Sequence, residues 1–259
     1  MVDRFSLVGG DVQDSGHMLQ ATGRSPRSAP CAPIGAMTFE AVLFDCDGVL
    51  VDSEPITNGV LREMLHEAGW VLTVAECESI FIGKAVRDER ERIERETGQP
   101  LTEAWMQAFY ARRDARLRAE LQTVAGAFDA VVAAHDHTSG RIACASGADK
   151  AKVVMQIDMA GMKPFFQDRI FSGHDCAKSK PAPDVYLAAA SHLNADPARC
   201  LVIEDTGTGA RAGLAAGATV WGYCPQGHGR AFAGLPIERV FQRMDDMAQA
   251  LRQYNRDME

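Results

Sequence analysis

Four short stretches carry residues whose types and spacing suit chemistry. The first, AVLFDCDGVLVDSE over 41–54, is an apolar run that stops at two acids one residue apart, Asp45 and Asp47, followed by Gly48. Alternate side chains of an extended segment share a face, so the two carboxylates are expected to project toward one point, with Gly48 letting the chain turn. Carboxylates held that close repel each other, and a cation relieves them. The other three are Ser146-Gly147, Lys180 within SKPAPDVY (179–186), and Glu204-Asp205. Each has an ordinary structural reading: an Asx turn for the DxDG, an N-cap and turn for Ser-Gly, a surface position for Lys180, and turn chemistry for Glu204-Asp205. Together they supply the parts of one reaction: a carboxylate nucleophile, an acid/base, a hydroxyl and an amide for phosphate oxygens, a cation, and further acids for a metal.

The elements that must position these parts follow from periodicity. Runs at 41–44, 141–145, 170–172, 200–203 and 219–221 read as short buried strands. Between them lie helical patterns over 128–135, through Val153, Val154 and Ile157 to a stop at Gly161, over 183–193, and over an Ala- and Gly-rich stretch after Asp205. Alternating strand and helix predicts an α/β fold, a Rossmann-like doubly wound parallel sheet with helices on both faces. Ligands of such sheets bind at the carboxyl ends of the strands, where three of the polar interruptions fall; Lys180 sits just before a helix, and all four are expected to converge at one edge. Residues 53–122 break the alternation. Leu61, Leu65 and Ala68 share a helical face that stops at Gly69, Thr73 to Glu76 has capping-box spacing, RDERERIERE reads as a wet helix, and Trp105, Phe109, Leu117 and Leu121 recur at multiples of four from Thr102. This block is expected to be a small all-helical domain, 53–122, inserted into a core made of 37–52 and 123–259. Residues 1–36, rich in Gly, Ser and Pro, read as a disordered extension, with Met37 an expected translation start that mass spectrometry of the native protein tests.

Bulk composition narrows the function classes. A chain of 259 residues with 46% hydrophobic content can bury a real core, and a formal net charge of −8 argues against a nucleic-acid partner. No apolar run reaches the ~20 residues that span a bilayer. The seven cysteines are scattered without a CxxC pair and read as reduced thiols, so a cytoplasmic protein is expected. Monomer and small homo-oligomer both remain open.

With DCDGVLVDSE, the Ala145-Ser146-Gly147 turn, SKPAPDVY and VIEDTGTGARAGLAAG on one chain, the sequence from about Phe39 to Tyr223 resembles the haloacid dehalogenase-like phosphatases and phosphotransferases, in the branch with a helical cap after the first strand. The last two stretches look especially like β-phosphoglucomutases and sugar-phosphate phosphatases. The resemblance implies that Asp45 attacks the phosphorus of a small phosphorylated metabolite and becomes an aspartyl phosphate, while Asp47 serves as acid and then base. It implies a Mg²⁺ held by Asp45, the main-chain carbonyl of Asp47, Asp205 and, directly or through water, Glu204. Lys180, the Ser146 hydroxyl and the Gly147 amide would hold the phosphoryl group, and Lys84 and Arg87, after Gly83, would read the rest of the substrate. Asp47 favours phosphoryl transfer over dehalogenation, because an alkoxide leaving group needs a proton and a halide does not.

Three rival readings stand. β-Phosphoglucomutases carry a His where this chain has Thr57 and an Arg where it has Val86, which turns the expectation from mutase toward hydrolase. A dinucleotide site over Gly207, Gly209 and Gly213 has GxGxxxG spacing near the end of the fold, not GxGxxG at its first βα turn. A catalytically idle binding relative would not need all four stretches intact. Ser146 lacks a GxSxG elbow, and His135-Asp136-His137 reads as a wet loop, not a zinc site.

Overall fold

The computed structural model describes residues 39–81, 84–227 and 230–256; the expected extension over 1–36, Met37 and the cap-loop Gly83 lie outside the described residues. The chain starts with β1 (Ala41–Phe44), whose four side chains are all buried, and after the DxDG turn makes a two-residue strand, β2 (Val51–Asp52). Four helices follow: α1 (Glu54–Glu67), α2 (Val74–Phe81), α3 (Arg90–Thr97) and α4 (Glu103–Glu120). The capping box forms as the spacing predicts, with the Thr73 amide and hydroxyl donating to Glu76 at 2.9 and 2.7 Å, and Thr102 caps α4 by accepting from the Trp105 amide. The chain returns through β3 (Gln122–Thr123), which pairs antiparallel with β2, so the outgoing and incoming segments cross side by side. That ribbon has no sequence signal; two residues are too few for a period.

The alternation then resumes: α5 (Ala127–His137), β4 (Ile142–Ser146), α6 (Lys150–Met159), α7 (Lys163–Phe166), β5 (Ile170–Ser172), α8 (Asp184–His192), β6 (Cys200–Glu204), α9 (Gly207–Ala215), β7 (Thr219–Tyr223), β8 (Arg239–Phe241) and α10 (Met244–Arg256). Six strands form one parallel sheet in the order β5-β4-β1-β6-β7-β8, with β1 hydrogen-bonded to both β4 and β6. The expected doubly wound sheet is present, and strand order reverses beside β1, where such sheets open a crevice.

Alternation along β1 sets the two layers. Val42 and Phe44 pack with Ile142, Leu201 and Trp221 against Val131, Phe166 and Leu251, whereas Ala41 and Leu43 pack with Ala143 and Val202 against Val185, Tyr186 and Ala210. Helices α1 to α3 and the first half of α4 have a separate apolar cluster, built from Leu61, Leu65, Phe81, Ile93, Met106 and Phe109.

Two expectations need correcting. His135 to His137 is no loop: the buried stripe of Ala130, Val131, Ala133 and Ala134 carries α5 through it, and the His137 ring sits 6.0 Å from Phe39 and 6.1 Å from Tyr254. Polar composition misled there because only one face of the last turn is wet. The sequence reading also stops at Trp221, yet β7 runs to Tyr223 and is followed by β8 and α10, whose buried Met244, Met247, Ala248 and Leu251 recur at helical spacing.

Candidate active site

Asp45 leaves the end of β1 with its amide donating to the Ile203 carbonyl at 3.0 Å, and Glu204 is the last residue of the neighbouring β6. Pairing of Phe44 with Ile203 brings the two acids level across adjacent strands. Lys180 lies between them, its Nζ donating to Asp45 Oδ1 at 2.6 Å and to Glu204 Oε1 at 2.7 Å, 9% exposed at the side chain. The Tyr186 hydroxyl also donates to Glu204 Oε1, at 2.7 Å, while the Thr206 amide and hydroxyl donate to Oε2. The chain reaches this point through a cis Lys180-Pro181 bond. Burial, the charges of Glu204 and Asp47, and only partial relief from Lys180 push the Asp45 carboxyl up to about 7. Burial penalises the Lys180 ammonium, but Asp45 and Glu204 hold its proton well above the ordinary lysine range.

Asp47 faces the same cavity as Asp45 but has its own set of partners. The strand ends at Phe44, Asp45 extends it by one hydrogen bond to Ile203, and Asp47 makes an isolated bridge with Val51 before the turn over 48–50. Lys152 Nζ at 2.8 Å, Gln156 Nε2 at 2.9 Å and the Ser53 hydroxyl all donate to Asp47 Oδ1. Burial raises this carboxyl, yet the Lys152 charge and the three hydrogen bonds outweigh it and bring it down to about 2. Between the acids, Cys46 is buried in the core and its thiol faces Gln156. Gly48 has φ +80°, and a Cβ there would lie 2.0 Å from Asp205 Oδ2, so both conformation and space require glycine.

Ser146 ends β4 nearly fully buried, with its Oγ accepting from the Ala148 amide at 3.1 Å, and Gly147 beside it is exposed. Asp45, Asp47, Ser146, Gly147, Lys180 and Glu204 line one cavity of about 480 Å³, whose opposite wall is Thr57, Phe81, Lys84, Phe109 and Arg113 from the helical block. Lys84 lines it while paired to Glu89 at 2.6 Å; Arg87 is not among the lining residues and pairs with Glu103 at 2.7 Å. The Thr57 hydroxyl is buried there without a hydrogen-bond partner.

Sequence reasoning missed four of these residues. Lys152 and Gln156 are four apart on α6 and so share a face, and Tyr186 lies within a stretch singled out for Lys180. Arg113 occupies the one position of the 105, 109, 113, 117, 121 series left out of the apolar stripe, and a cation in a buried stripe was the available signal.

The acids fit a hard divalent cation. Asp45, Glu204 and Asp205 each offer an oxygen within 4.8 Å of the others, with one ammonium among three carboxylates, and Asp205 Oδ1 is buried without a hydrogen-bond partner. Burial, with Glu204 and Asp45 beside it, pushes the Asp205 carboxyl well above its ordinary range, a charge imbalance that a cation would remove. Both Glu204 oxygens are already engaged by protein donors, which suits an outer supporting role better than direct ligation.

A family model described as haloacid dehalogenase-like hydrolase matches residues 39–217. The chain belongs to that family. It is 31% identical over 193 residues to the 6-phosphogluconate phosphatase of Escherichia coli (strain K12), covering 74% of this chain and 86% of that one. Among solved structures, a haloacid dehalogenase-like protein of unknown function from Agrobacterium tumefaciens superposes with TM-score 0.70 at 28% identity, over 84% of this chain and 99% of that chain. A family hydrolase from Deinococcus radiodurans, solved with bound phosphate and sodium, gives TM-score 0.69 at 30% identity, over 85% and 97%.

Proposed function

We propose that the protein is a Mg²⁺-dependent phosphatase that hydrolyses a small phosphate monoester through an aspartyl phosphate on Asp45. The observation that carries this is the Lys180 ammonium bridging Asp45 and Glu204 on the cavity floor, with the unpartnered Asp205 oxygen in the same acid cluster. The relative named as a phosphatase supports the ester class.

Asp45 is the nucleophile: its oxygen forms a bond to phosphorus as the ester oxygen departs, and water later attacks the phosphorus to return the free carboxylate. A carboxylate approaching a phosphate is opposed by about 4 kcal/mol per unit-charge pair at 4 Å in an effective dielectric of 20. Lys180 offsets part of that at the attacking oxygen, and Ser146 and Gly147 take the transferring oxygens. Asp47, which Lys152 and its hydrogen bonds keep ionised in the free protein, takes a proton from the entering phosphate monoanion, passes it to the departing alkoxide and recovers one from the attacking water. Since Lys152, Gln156 and Ser53 all occupy Oδ1, that proton is handled at Oδ2. Asp45, Asp205 and the Asp47 main-chain carbonyl would hold Mg²⁺, with Glu204 behind them; when bound it supplies charge neutralisation for nucleophile and phosphate. Helices α1 to α4 act as a cap that excludes bulk water and supplies contacts beyond the phosphate.

The test is release of inorganic phosphate from generic and sugar phosphates with and without Mg²⁺. Turnover should require the metal, and Asp45→Asn should lower it by at least about 10³-fold. Equal activity in the two proteins refutes the nucleophile. Sugar isomerisation without phosphate release would move the assignment to a mutase.

A further inference from the structure

Building on the phosphatase reading, the structure assigns Arg113 as the residue that binds a second anionic group of the substrate, and we propose that this group is a carboxylate. Arg113 projects from α4 into the cavity wall and is only 6% exposed. It interrupts the buried face of Phe109 and Leu117, where a guanidinium is costly to bury unless it is paired. Its neighbours hold the plane in place. Nε and Nη2 both pair with Asp114 Oδ1, at 2.8 and 2.7 Å, and the guanidinium carbon stands 4.8 Å from the Tyr110 ring centroid, so the plane keeps these contacts when its longer one is exchanged. Nη2 reaches across to α6, 3.1 Å from Asp149 Oδ2.

The Asp149 partner is exchangeable. Asp149 is the N-cap of α6, and its other oxygen, Oδ1, already accepts from the Lys152 amide at 2.9 Å. Its side chain is 33% exposed, so Oδ2 can return to water and leave Arg113 to a ligand without an orphaned group. The other cations of the wall are less available. Lys180 is taken by Asp45 and Glu204 and Lys152 by Asp47, while Lys84, 47% exposed and paired with Glu89, is a hydrated point charge without the fixed plane of Arg113. A planar, oriented guanidinium suits the two coplanar oxygens of a carboxylate, which replaces Asp149 like for like.

The experiment compares kcat/KM for three phosphate esters of equal chain length, ending in a carboxylate, an uncharged hydroxymethyl group or a second phosphate, in wild type, Arg113→Ala, Arg113→Lys and Asp149→Asn. Wild type should favour the carboxylate ester at least about tenfold over the uncharged one, the worth of a charge-assisted contact. Arg113→Ala should abolish that preference mainly through KM, with partial recovery in Arg113→Lys. Asp149→Asn keeps a capping side chain while removing the competing charge, so it should lower KM for the carboxylate ester. A uniform loss on all esters in Arg113→Ala, a higher KM in Asp149→Asn, or a wild type without preference would make the pair a structural tie and overturn the assignment. Preference for the second phosphate would overturn the carboxylate. Titrating the same esters into Asp45→Asn protein reads the preference as binding, so failure of the phosphatase reading is distinguishable from failure at Arg113.

Discussion

Glu204 has each of its oxygens occupied, by Lys180 and Tyr186 on one and Thr206 on the other, and this fixes Lys180 against Asp45. Lys180→Met would leave two buried carboxylates facing each other without a cation. We expect turnover to fall by about 10²–10³-fold, measured as kcat at saturating Mg²⁺. On the proposed reading Asp205 acts at a different point, as a metal ligand through an oxygen that no protein donor satisfies. Asp205→Asn removes a charge from the cluster and is expected to raise the Mg²⁺ concentration for half-maximal activity by at least about tenfold, with kcat at saturation falling less. A metal titration of phosphate release checks both, and an unchanged half-saturation would remove Asp205 from the metal set.

At the level of elements, the site depends on how closely α9 lies against β6. A Cβ at Gly209 would fall 1.7 Å from Glu204 Oε1, and one at Gly213 would fall 3.0 Å from Val202 and Val220. Gly209 and Gly213 therefore serve close helix-to-sheet packing and a Cβ at Gly207 would lie 2.3 Å from the Ala231 carbonyl oxygen, which accounts for these glycines without a dinucleotide. Gly209→Ala should displace Glu204 and with it Lys180. The expected result is about 1–3 kcal/mol lost in denaturant unfolding together with a large drop in turnover. Thr102→Ala, which removes the α4 cap, should cost about 1 kcal/mol by the same measurement.

For the whole molecule, β1 carries both stability and placement, because its alternate residues join the two helical layers while its end delivers Asp45. Phe44→Ala, at a fully buried position against Phe166, should cost about 3–5 kcal/mol of unfolding free energy. A cation that binds the folded acid cluster and not the unfolded chain must stabilise the protein by mass action. Adding Mg²⁺ to chelator-treated protein should therefore raise its thermal midpoint, and the rise should be lost in Asp205→Asn. Among the described residues no helix is long and apolar enough to cross a membrane.

Periodicity and turn chemistry are local, and they made the parallel sheet, most of its helices and the four polar stretches readable from the chain itself. Asp45 is legible because an apolar strand that ends in DxDG breaks a local rule. Lys152 and Gln156 break no rule that a short window can see, and Arg113 breaks one only as a cation in the apolar stripe of its own helix. Lys152 and Gln156 gain their meaning from Asp47, more than a hundred positions away, and Arg113 from Asp149 on another helix. The sequence by itself determined which residue types were present and which elements would carry them. Only the tertiary structure decided their partners, because a buried charge is defined by whatever the fold sets against it, and that pairing is non-local.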